Sequence, residues 1–166
     1  TGVLLIIVSE EAEKAGLPVL VHANTLKSAK FALREGKIHM LVHPVSDAPV
    51  DDEFLELASR NNTIYVTAMG YTQVLMAAIS AAGPGRTKLK FPEQKIPVDG
   101  VDPASRARLS LVDSLPAGNF ESEKFIASLE DDDQDHISNL RRIHEAGIII
   151  AAGTDAGNLL LAHGPC

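Results

Sequence analysis

The chain is poor in the residues that mark several specialised classes. Its single cysteine is the last of 166 residues, which excludes an internal disulfide framework and a cysteine-rich zinc site. Tryptophan is absent, and two tyrosines and five phenylalanines are all the aromatics apart from histidine, so an aliphatic core is expected. Apolar runs stop short of the roughly 18–20 residues that a spanning helix needs. Basic residues are outnumbered, 15 Lys and Arg against 22 Asp and Glu, and a formal charge of −7 argues against a nucleic-acid partner. Gly83-Pro84-Gly85-Arg86 is not followed by Gly-Lys-Ser/Thr, so it is not a phosphate loop. The opening Thr1–Val8 is apolar but lacks the basic segment and small-residue cleavage site of a signal peptide. The compartment stays open between cytoplasm and export, any targeting segment lying upstream of Thr1.

What remains is the composition of an ordinary globular protein, 45% hydrophobic and 22% charged. Its length suits one domain. Leu17–His22, Ile38–His43 and Thr63–Ala68 are short apolar or β-branched runs that read as buried strands, and Ile148–Ala152 is a fourth. Helical stretches separate them. Thr25–Glu35 puts Leu26, Ala29, Ala32 and Leu33 on one face, with Gly36 as its stop. Asp51–Arg60 does the same with Phe54, Leu55, Leu57 and Ala58 and ends at Asn61-Asn62. Thr1–Gly16 is expected to be a helix leading into the first strand, although Val3–Val8 alone reads equally as a strand, and Ile137, Leu140, Ile143 and His144 mark a helix closing at Gly147. Strand–helix–strand at this spacing predicts an α/β fold with parallel pairing. A loop and helical excursion is expected over about 84–132, opened by Pro84, Pro92, Pro97, Gly100 and Pro103. Arg86, Lys88, Lys90 and Lys95 make its first part basic, as a solvated loop or as a lid offering a cation.

His22 and His43 each close an apolar strand, and each precedes a short polar segment leading into a helix. On parallel neighbours about 4.8 Å apart, both imidazoles would stand at the carboxyl rim of one sheet, where α/β proteins place ligands. Asp155 occupies the equivalent place in Gly153-Thr154-Asp155-Ala156-Gly157. Two histidines and a carboxylate on one rim suit a zinc-like ion that keeps a position for water. A lone histidine at a strand end is more often a hydrogen-bonded structural group. Two at matching positions, with Asp155, favour the metal. His39 lies roughly 13 Å below His43 on the same strand and is expected to be buried or supporting. His136 sits among Asp131, Asp132, Asp133 and Asp135, a run expected to be solvated and to favour a helix N-terminus. His144 is expected to face away from the rim, and Cys166 has no visible nucleophilic context.

A family resemblance rests on three ordered segments. Val21-His22-Ala23, with Ala29, Ala32 and Gly36 downstream, is similar to the fifth strand and helix of the amidohydrolase superfamily. Ile38–His43 resembles its sixth strand. Asn139–Gly147, running through Ile150 into Gly153-Thr154-Asp155-Ala156-Gly157-Asn158, resembles the helix and eighth strand of its imidazolonepropionase-like branch, which includes dipeptidases acting on Xaa-Pro and Xaa-Arg. His163-Gly164-Pro165 resembles the His-Gly element that follows. The resemblance implies the C-terminal half of a (β/α)8 TIM barrel, strands five to eight, over residues 1–166. His22 and His43 would then bind a divalent metal, zinc above others, and Asp155 would bind it or deprotonate the attacking water. His163 would be a substrate contact. The family's His-x-His of the first strand and its carboxylated lysine do not occur, and Val42-His43-Pro44 stands where relatives often have Glu-His-Gly.

The expected activity is hydrolysis of a C–N bond in a dipeptide-like or other small-molecule substrate, with one or two metal ions in the full-length protein. This chain would be an incomplete, catalytically silent fragment, completed by the N-terminal half of the barrel or by self-association. The rival is a non-catalytic α/β scaffold or interaction fragment completed by a partner chain. Neither reading involves nucleic acid or membrane.

Overall fold

The computed structural model describes residues 2–68, 103–104 and 135–155. The chain divides into two compact units, Thr1–Ala68 with Asp132–Gly153, and Met69–Asp131 with Thr154–Cys166. Most of the 84–132 excursion, His163 and Cys166 lie outside the described residues.

The first unit follows the alternation written in the sequence. In chain order it comprises α1 (Gly2–Lys14), β1 (Leu20–Val21), α2 (Leu26–Glu35), β2 (Met40–Leu41), α3 (Asp52–Arg60), β3 (Ile64–Thr67), a helical segment 135–145 taken here as α4, and β4 (Ile150–Ala152). The strands form one parallel sheet in the order β1-β2-β3-β4. Parallel neighbours need crossovers, and α2 and α3 supply the first two. The ladders are shorter than the apolar runs. Leu17 and Pro18 stay outside β1, where proline has no N–H to offer and Leu17 is exposed.

Register sets the two faces. Val21, Leu41, Tyr65 and Ile150 are paired in sequence across the sheet. Their face packs with Ala29, Ala32 and Leu33 of α2, Phe54, Leu57 and Ala58 of α3, and Ile143 of α4. One step along, Leu20 pairs with Met40 and Met40 with Ile64, on the other face. There Leu20 is 52% exposed. The aliphatic-core expectation is corrected in one respect. Tyr65 and Phe54 are the largest fully buried side chains and meet edge to face, 6.2 Å apart at 89°.

Local chemistry fixes the helix ends. Thr25 caps α2 in a reciprocal box with Ser28, and Asp51 caps α3 by accepting from the Phe54 N–H at 2.9 Å. Gly36 ends α2 for a different reason from the one its position suggests. Its φ is −110°, and a Cβ there would lie 2.7 Å from Ile38 Cδ1 and 3.1 Å from the Ala32 carbonyl oxygen. Close packing, rather than a left-handed turn, requires the glycine.

Charge ties α2 to α3. Lys30 reaches Asp51 at 2.6 Å and Glu53 at 2.8 Å, and Arg34 also pairs with Glu53. The Lys30 and Arg34 contacts hold the Asp51 and Glu53 carboxyls below their ordinary range. A lowered folded value means that the stabilisation is complete above the unfolded carboxyl range and is lost as pH falls through the folded values. Urea midpoints are therefore expected to fall on acidification between about pH 5 and pH 3. Lys30→Met should flatten that decline, and an unchanged slope would remove the network from the acid lability.

Candidate metal centre

His22 follows β1 directly and His43 lies two residues past β2, so each stands at the carboxyl end of its strand. The structure brings their rings together, with centroids 4.0 Å apart and planes tilted by 49°. His22 is exposed and His43 half-buried. Two nitrogens bound to one tetrahedral zinc at about 2.0–2.1 Å would put ring centroids about 5 Å apart, about 1 Å farther than they stand here. Two imidazoles are donors of the kind a zinc-like ion takes, so the pair is a candidate for part of a metal site. Among the described residues, no group of three or more His, Cys, Asp or Glu gathers to hold an ion.

Asp155 belongs to the second compact unit and lies three residues past β4. Its backbone is left-handed, with φ 52°, a region that aspartate and asparagine enter more readily than other side chains. Asn62, just past the end of α3, has the same φ of 52°.

The segments that carry the histidines are joined. The Ser46 N–H donates to the Asn24 carbonyl at 3.1 Å, and the Leu26 N–H donates to Asp47 Oδ1 at 2.7 Å. Asp47 thus puts a carboxylate at the N-terminus of α2, where the helix dipole favours it. Tyr65 Oη accepts from the buried Val45 N–H at 2.7 Å. Burial pushes the Tyr65 hydroxyl up to about 12, so the phenol stays neutral at working pH. Asn139, fully buried on α4, accepts from the Val50 N–H at 2.7 Å and donates to the Val45 and Ala48 carbonyls at 3.1 and 3.0 Å.

Sequence reading did not assign a role to Tyr65, Asp47 or Asn139. Only Asn139 left a signal, as an amide on the apolar His136–Leu140–Ile143 face of its helix.

Two other histidines differ from expectation. His39 is exposed, and its Nδ1 accepts the Val19 N–H at 3.0 Å. It is a backbone cap at the amino end of the sheet, so its neutral ring carries the proton on Nε2. His136 is only 5% exposed despite its acidic neighbours, because it shares the inward face of α4 with Asn139 and Ile143. His144 is exposed, as expected.

No protein-family model and no curated relative matches the sequence. Solved structures do. The chain is similar to ochratoxinase of A. niger at 19% identity, covering 93% of this chain and 26% of that one, with a TM-score of 0.60. It is also similar to a Xaa-Pro dipeptidase with methionine bound in the active site, at 18% identity over 99% of this chain and 30% of that one, with a TM-score of 0.57. The chain thus spans less than a third of either neighbour's length. At such identities the likeness is one of fold, and it agrees with the sheet: the chain is a parallel α/β unit that forms part of a TIM-barrel-like fold.

Proposed function

We propose that this chain is the C-terminal half of the barrel of a metal-dependent hydrolase of amidohydrolase type, carrying strands five to eight and acting on C–N bonds of amide or peptide-like substrates. The observation that carries the reading is the approach of His22 and His43 to 4.0 Å at the carboxyl rim of adjacent parallel strands. Catalytic groups of barrel enzymes sit on that rim. The name of one structural neighbour, a Xaa-Pro dipeptidase, supports a dipeptide-like substrate.

His22 and His43 would hold a divalent ion, zinc by the chemistry of two imidazole nitrogens. When bound, such an ion lowers the pKa of coordinated water toward about 7 and polarises the amide carbonyl. Asp155 supplies a carboxylate, either as a further ligand or to take the proton of the attacking water and pass it to the leaving amine. His163 is assigned to substrate contact. The full-length protein would hold one or two ions. In this chain alone the two histidines hold no more than one, loosely.

The test is a zinc titration of the 166-residue chain beside a dipeptide hydrolysis panel. One weakly bound ion and no turnover are expected. Robust hydrolysis by the chain alone would refute the incomplete-site reading, and no zinc uptake would refute the histidine pair.

A second reading, a non-catalytic α/β scaffold completed by a partner chain or by self-association, has its own observation. Val3 and Leu4 of α1 are 72% and 64% exposed, and Ile149 beside β4 is 64% exposed. Apolar surface of this kind suits burial against another segment. Its discriminator is zinc: a scaffold takes up none through His22 and His43.

A further inference from the structure

The segment between His43 and α3 has no regular structure, yet several of its backbone groups are held. Pro44, Val45 and Val50 are buried. Val45 is fixed on both sides of its Cα, its N–H by Tyr65 Oη at 2.7 Å and its carbonyl by Asn139 Nδ2 at 3.1 Å. Asn139 reaches on to Ala48 and Val50, and Arg142 of α4 holds the Val50 carbonyl. Ser46 is bonded to Asn24, which lies two residues past His22 just as Val45 lies two past His43.

We propose that Tyr65 and Asn139 are positioning residues for the histidine pair, setting His43 against His22 by clamping the loop that follows it. The inference rests on the reading above that the two rings share an ion. The covalent geometry explains the leverage. With the Val45 nitrogen pinned and the Pro44 φ locked by its ring, only ψ of Pro44 and ψ of His43 stay soft between the clamp and the His43 Cα. On the other side, the Ser46–Asn24 bond ties the same loop to the one carrying His22. A metal bound by imidazoles that are already adjacent has less ordering entropy to overcome. Buried backbone groups need partners in any fold, so the hydrogen bonds alone do not separate a positioning role from a structural one. Their effect on the ion does.

Thr63 provides the matched comparison. Its hydroxyl is buried just before the same strand and donates to the Ile38 carbonyl at 3.0 Å, at the amino end and away from the rim. Zinc alone is titrated calorimetrically into the full 166-residue chain and into Tyr65→Phe, Asn139→Ala, Thr63→Val and His43→Ala, each checked for fold by circular dichroism. Tyr65→Phe keeps its edge-to-face packing on Phe54 and is expected to weaken zinc by roughly 10- to 100-fold. Asn139→Ala should do likewise, and it carries the test independently should Tyr65→Phe not fold. Thr63→Val should bind zinc as the parent does. In the metal-free state, imidazole nitrogen NMR should move for His43 in Tyr65→Phe while His39 stays put.

Equal zinc affinity in Tyr65→Phe and the parent, with His43→Ala losing zinc, overturns the positioning role and leaves the metal reading intact. Equal weakening in Tyr65→Phe and Thr63→Val also overturns it, since the loss would then follow stability alone. Zinc retained in His43→Ala overturns the metal reading itself.

Discussion

In the full-length protein, His22→Ala and His43→Ala are each expected to strip the zinc and lower hydrolysis by roughly a thousandfold or more, a barrier increase of about 4 kcal/mol. The size follows from the geometry. The ring centroids are 4.0 Å apart, so on the proposed reading one ion engages both, and the loss of either leaves a single imidazole on this part of the rim. Alanine also removes the neighbour against which the other ring is set. The remaining histidines of the same unit provide internal contrast. His39→Ala deletes the acceptor of the Val19 N–H and should lower stability by about 1–2 kcal/mol while leaving zinc bound. His144, exposed on α4, should be neutral in both respects. Metal content by atomic emission, measured beside turnover on a dipeptide panel, separates these outcomes. Full turnover in either His22→Ala or His43→Ala would end the assignment.

The contrast among histidines also shows what a sequence can and cannot disclose. The strand and helix order was legible because each crossover repeats one local pattern. An apolar run ends in a polar turn, a capping residue starts an amphipathic helix, and Thr25 and Asp51 cap as their residue types suggest. The pairing of His22 with His43 followed from that order, since neighbouring parallel strands end at neighbouring points on one rim.

What stayed hidden was non-local. Asn139 meets Val50 across 89 residues, and no local pattern encodes such a contact. His39 and His43 share a strand-like run, but the ladder stops at Leu41, so alternation no longer relates them. His39 instead turns to an unpaired backbone N–H at the amino end. His136 is surrounded in sequence by aspartates, yet helical periodicity puts it on the same buried side as Asn139 and Ile143. Periodicity outranks neighbouring charge there. Gly36 shows the same in reverse, because its neighbour across the fold, not its own φ, demands the missing Cβ.

Asp155→Asn is expected to separate chemistry from binding. The residue holds a left-handed backbone, φ 52°, and asparagine is the substitution that tolerates this conformation best after glycine. The change therefore keeps the side-chain size and one oxygen able to ligate, and removes the negative charge and the capacity to accept a proton. A carboxylate that takes the proton of the attacking water and returns it to the leaving amine contributes typically 10²–10⁴-fold. The full-length Asp155→Asn protein should thus retain most of its zinc and lose turnover by about that factor, whereas His22→Ala loses zinc and turnover together. If Asp155 were a ligand alone, zinc would fall in step with activity. A fully active Asp155→Asn enzyme would rule out the base. Measuring zinc content and turnover on the same preparation distinguishes a proton acceptor from a ligand, because only the acceptor role lowers turnover without changing occupancy.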